Sequence, residues 1–134
     1  MTAPSSTMNL PKNVDGRIHE GEYVNGRLYG QGKKTFPGKY VEEGEYDNGR
    51  LNGPGKRTYV DGEVRDGDFV DGELAKGTMT FDKQVLKGEF VDGHLQGQGK
   101  VTVPDDYVEE GEYDDGYLIA GKRTYAYGVV EEVC

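Results

Sequence analysis

The 134-residue chain contains no tryptophan, one cysteine, two histidines and five prolines. Each shortage closes off a class of function. The single cysteine is Cys134, the last residue, so no intrachain disulfide can form. That usage fits a reducing compartment, and a cytoplasmic location is expected. No run of about 18 apolar residues is present, so no membrane-spanning helix is expected. No basic stretch followed by an apolar one opens the chain, so no signal peptide is expected either. Thr2 stands where a myristoylation signal needs glycine, and a terminal lone cysteine is not a prenylation box.

Positive charge is also in short supply. Sixteen Lys and Arg face 25 Asp and Glu, a net charge of −9. A nucleic-acid binder needs clustered cations against phosphate, so nucleic acid is not an expected partner. The same balance disfavours docking on anionic phospholipid head groups. Protein partners remain open, and the acidic excess on the charged rows described below would suit a basic one.

What the chain has in quantity is glycine, 22 residues, and tyrosine, 10 residues. The glycines are periodic. Gly21-Glu22-Tyr23, Gly44-Glu45-Tyr46, Gly67-Asp68-Phe69, Gly88-Glu89-Phe90 and Gly111-Glu112-Tyr113 open five similar units, spaced by 23, 23, 21 and 23 residues. Such a period marks a stacked-repeat architecture. Residues 1–12 lack the pattern and read as a flexible leader. The repeat domain is expected over 13–134, with an N-terminal half unit and a truncated sixth unit beginning at Val130.

Each unit reads as two short strands. Asn25-Gly26, Asn48-Gly49, Asp71-Gly72, Asp92-Gly93 and Asp115-Gly116 lie between them. These dipeptides favour the positive φ angles of a type I′ turn, a strong hairpin signal. The connection could extend to the following Gly-x-Gly. That triplet is complete in three units and shortened in Leu74-Ala75-Lys76-Gly77 and Leu118-Ile119-Ala120-Gly121. The expected fold is all-β: an elongated, single-layer, twisted antiparallel sheet of stacked hairpins, open at both ends. Pairing at those ends offers a route to a homodimer.

Stacking turns equivalent positions into rows. Tyr23, Tyr46, Phe69, Phe90 and Tyr113 form one aromatic row, and Phe36, Tyr59, Phe81, Val103 and Tyr125 another. A thin ribbon cannot cover both of its faces, so rings are expected to line an open groove for a protein partner. The first row is the candidate binding row. Lys33, Lys56, Lys100 and Lys122 form a basic row beside acidic ones, with Lys56 and Lys100 as candidate partner contacts. The charged rows otherwise read as solvated faces with weak cross-strand ion pairs.

No catalytic constellation emerges. His19 and His94 lie on different units, far from any Ser or Cys that they could activate. The Asp105-Asp106 and Asp114-Asp115 pairs are acidic turn residues, and no metal or cofactor is expected. Glu42-Glu43 and Glu109-Glu110 alternate faces and so point apart. The Gly-x-Gly triplets are followed by no helix that could hold a phosphate.

The Gly-x-aromatic, the x-Gly turn, the Gly-x-Gly and the later aromatic together resemble the MORN (membrane occupation and recognition nexus) repeat family. The resemblance covers residues 13–133. It implies a non-catalytic interaction scaffold whose groove takes up a partner segment, often a helix, or a second array. It also implies cytoskeletal, ciliary or cortical assemblies, and, as an alternative, phosphoinositide head groups. One departure stands out. The tyrosine that MORN units usually carry two residues before Gly-x-aromatic is replaced by His19, Glu42, Arg65, Leu86 and Glu109, which implies a more polar face.

Overall fold

A computed structural model describes residues 11–134. They form one antiparallel sheet of twelve strands in strict sequence order. The strands are β1 (Lys12–Val14), β2 (Arg17–Val24), β3 (Arg27–Phe36), β4 (Tyr40–Asp47), β5 (Arg50–Tyr59) and β6 (Val64–Val70), followed by β7 (Glu73–Phe81), β8 (Gln84–Val91), β9 (His94–Val103), β10 (Tyr107–Asp114), β11 (Tyr117–Tyr125) and β12 (Val130–Val133). At about 4.8 Å per step the sheet is roughly 50 Å long. The leader expected over 1–12 lies outside the described residues except at its end, where Lys12 already belongs to β1.

The turns at the Asn-Gly and Asp-Gly pairs have two residues, both at positive φ: 56° and 85° at Asn48-Gly49, 50° and 86° at Asp71-Gly72. The Gly-x-Gly is not part of the turn. It is a bulge. In β4–β5, Tyr46 pairs with Leu51 and Gly44 with Gly55, so two residues are spanned on one strand and four on the other. The shortened units carry one extra residue instead, between Leu74 and Lys76 and between Leu118 and Ala120. Bulges bend and twist the strand that holds them.

One line of glycine crosses the sheet. Gly21, Gly32, Gly44, Gly55 and Gly67 pair in turn, and the line continues through Gly77, Gly88, Gly99, Gly111 and Gly121. Two demands meet there. Gly67 has φ 151°, and a Cβ on it would lie 2.2 Å from the Lys76 carbonyl oxygen. Gly32 has little room for a side chain because Leu28 Cδ2 and Tyr46 Cδ1 already fill the space, each 3.2 Å from where its Cβ would stand. Leucine and aromatic side chains therefore lie directly on bare backbone.

These side chains are the core. Leu28, Leu51, Leu74 and Leu95 alternate with the row from Tyr23 to Tyr113, all on one face. With no second layer among the described residues, the sheet itself must coil around them, and long side chains close the top. Lys34 passes 5.8 Å from the Tyr46 ring centre to donate to the Gly49 carbonyl at 2.8 Å. Arg57 passes 5.4 Å from the Phe69 ring centre and donates to the Gly72 carbonyl at 2.8 Å.

Candidate interaction surface

Register divides the side chains between an inner face, which carries the core, and an outer face. The inner face has three rows. The deepest holds the leucines and Tyr23, Tyr46, Phe69, Phe90 and Tyr113. These rings are 1–8% exposed. The expectation that this row is displayed to a partner is corrected: its rings are buried against the bulged strands, with Lys34 over Tyr46 and Arg57 over Phe69.

The open rings belong to the second aromatic row. Phe36, Tyr40, Tyr59, Tyr107 and Tyr125 are half-buried, and Phe81 is 48% exposed. They meet across the sheet tilted or edge-on, with Tyr40 and Tyr59 centres 5.7 Å apart and Tyr107 and Tyr125 centres 6.1 Å apart. Aromatic pairs at such distances hold their geometry while leaving one face free.

Between the two aromatic rows runs the row where tyrosines were missed. Its polarity is compensated in pairs. Glu42, 2% exposed, accepts from Arg57 Nε at 2.7 Å and from the Tyr46 hydroxyl at 3.2 Å, with Lys34 Nζ at 3.9 Å. Burial first, then the Glu42 charge and hydrogen bond, holds the Tyr46 hydroxyl protonated well above its usual range. Glu109 repeats the arrangement with Arg123 Nε at 2.8 Å and the Tyr113 hydroxyl at 3.1 Å, and Arg123 also meets Glu131 at 2.8 Å. At the centre of the row stand Met79, Leu86 and Val101, directly opposed and packed on the core. Sequence reasoning saw the substitutions in this row. That Glu42 lies opposite both Arg57 and Lys34 shows only in the strand register, within its hairpin and to the preceding one.

Lys56 and Lys100 project from the outer face, exposed. No single surface therefore brings them together with the candidate aromatic row. A cleft of about 780 Å³ lies over the glycine line there, walled by Glu20, Lys33, Glu43 and Lys56. Lys56 sits between Glu43 and Asp66 in register, and Lys100 between Lys87 and Glu110. The cross-strand ion pairs expected on this face do not close. Among the described residues every ion pair within 4 Å lies on the inner face. The outer charges are solvated.

The same residues hold no group of three His, Cys, Asp or Glu side chains placed for a metal ion. The chemistry on offer is contact: half-open rings, an apolar centre and charges, most of them paired, on an inner face that no other described element covers. The family model for the MORN repeat matches residues 19–39, 43–64 and 87–105. The chain is a MORN-repeat protein. No curated protein matches it as a relative. The three matched MORN units are those with the full two-residue bulge; the third and fifth, with the shorter bulge, lie outside the matches. MORN repeats are generally linked to protein or membrane interactions, and MORN proteins are typically non-catalytic.

Proposed function

We propose that this MORN-repeat protein is a non-catalytic scaffold whose inner face receives a segment of a protein partner. One observation carries the reading. The inner face of a single-layer sheet keeps a row of half-exposed rings beside the apolar trio Met79, Leu86 and Val101, and no second layer among the described residues lies over them. Apolar rows rimmed by charge are where partners bury surface, and aromatic residues dominate such contacts. The outer face, by contrast, presents solvated charges.

Neighbouring positions separate the two faces experimentally. A photo-crosslinking amino acid at Tyr59 lies on the inner face, and one at Thr58 on the outer face. Crosslinks to one protein from Tyr59 and none from Thr58 are expected in source lysate. Equal labelling from both positions, or labelling from Thr58 alone, would reject the inner face as the binding surface.

A further inference from the structure

The net charge of −9 is not spread evenly over the sheet. On the inner face from β1 to β6, Lys12, Arg17, Lys34, Arg57 and Arg65 oppose only Glu42 and Glu63. Both carboxylates are already engaged, Glu42 by Arg57 and Lys34, Glu63 by Arg65 at 2.6 Å. Lys12 and Arg17 meet no carboxylate within 4 Å among the described residues. They rest against rings, Lys12 at 5.8 Å from the Tyr23 centre and Arg17 at 4.7 Å from the Phe36 centre.

His19 lies among these cations. Its cross-strand neighbours are Lys12 on one side and Lys34 on the other, and Arg17 precedes it on the same face. Among the described residues its Nε2 is the buried side-chain nitrogen with no hydrogen-bond partner. Burial first, then Lys34, Arg17 and Lys12, lowers the His19 pKa, and Glu42 opposes them. A buried ring nitrogen without a partner costs free energy, and so do uncompensated cations side by side. One added carboxylate would satisfy both.

We infer that the β1–β3 end of the inner face is a docking site for an acidic segment of a partner protein, with a partner carboxylate seated among Lys12, Arg17, His19 and Lys34. This rests on the proposed function and specifies its partner's chemistry. The leader cannot supply the group, because residues 1–10 contain no Asp or Glu. A bilayer fits less well than a peptide. The outer face and turns carry the acidic excess, which repels an anionic membrane within the screening length of about 8–10 Å. A single side chain can enter where a lipid surface cannot approach. Farther along the row stand Met79, Leu86 and Val101, beginning about 24 Å from β2 with Met79 at five strand steps. The segment is therefore acidic at one end and apolar behind it.

The test uses the full chain and a fluorescein-labelled peptide with four Glu followed by a Leu/Phe-rich stretch, read by anisotropy. A peptide with Lys in place of Glu is the control. The acidic peptide should bind at least about tenfold tighter than the Lys peptide, by the ratio expected for one charge-assisted contact. Arg17→Gln and Lys12→Gln, both at exposed side chains, should each weaken it by a similar factor at unchanged circular dichroism. Lys56→Gln and Lys100→Gln on the outer face should not. Bound peptide should raise the His19 titration midpoint in imidazole NMR spectra, since a carboxylate beside the ring favours its charged form. Equal binding of the Lys peptide, or loss of binding only in the outer-face variants, overturns the inference. So does failure of the peptide when phosphoinositide vesicles bind and lose affinity in the Arg17 variant. If Tyr59 crosslinks a partner but no acidic peptide binds, the scaffold reading stands and this site falls. If neither occurs, both fall.

Discussion

β4 and β10 have the same eight residues, Tyr-Val-Glu-Glu-Gly-Glu-Tyr-Asp, yet their inner faces differ in charge. In β4, Glu42 lies between Lys34 of β3 and Arg57 of β5, and Arg57 in turn lies opposite Arg65. In β10, Glu109 lies between Val101 of β9 and Arg123 of β11, and Arg123 lies opposite Glu131. One surrounding has surplus cations and the other surplus carboxylates. A repeat's surface is thus set by what its neighbours contribute, while its own sequence sets only the frame. Enclosure differs too: the Arg57 side chain is 12% exposed and Arg123 28%.

The sharpest break in the comparison is Glu42→Gln. It strands Arg57 and Lys34 with only turn carbonyls, and should cost about 3 kcal/mol in urea unfolding. Replacing the whole charged trio should do the opposite. Lys34→Met, Glu42→Leu and Arg57→Val together copy the Met79–Leu86–Val101 row. Tyr46 keeps the Glu42-position backbone carbonyl as acceptor. The triple variant should match the wild type or exceed it by about 1–2 kcal/mol, and a loss like that of the single variant would show the charges to be needed for folding. Glu109→Gln should cost only about 1 kcal/mol, because Arg123 keeps Glu131 and lies nearer water.

The smallest effect is in pH. His19 takes up a proton less readily folded than unfolded, so the unfolded chain gains the proton first. The stability it contributes is present above the ordinary histidine pKa of about 6.5 and is lost as pH falls through it. Between pH 7.5 and 5.5, His19→Gln should lose less stability than the wild type. Equal losses would show that the ring is not held neutral by its surroundings.

Much of the fold was legible because its signals are local. Asn48-Gly49 and its equivalents declare a two-residue turn, and alternation around Tyr46 and Tyr59 assigns faces. The Gly-x-Gly was harder to read, since Gly53-Pro54-Gly55 could lengthen a turn or bulge a strand. Only the pairing of Leu51 with Tyr46 decides between them. The site was legible in part. Which aromatic row is closed depends on Lys34 and Arg57 reaching the turn of the next hairpin, 15 residues on in each case. No single strand's pattern records that reach. The Glu42 pairing was hidden for the same reason, although alternation puts Arg57 on the face of Tyr59.

Strict sequential order has a further consequence. Every described strand pairs only with the strands before and after it, so the molecule behaves as a ruler graduated in hairpins. Adding or removing one 23-residue unit would change its length by about 10 Å and leave every other mark in place. Reach and surface chemistry can then vary independently in such a chain: the number of units sets how far apart two docked groups are held, and substitutions such as Val101 for lysine set what each graduation holds.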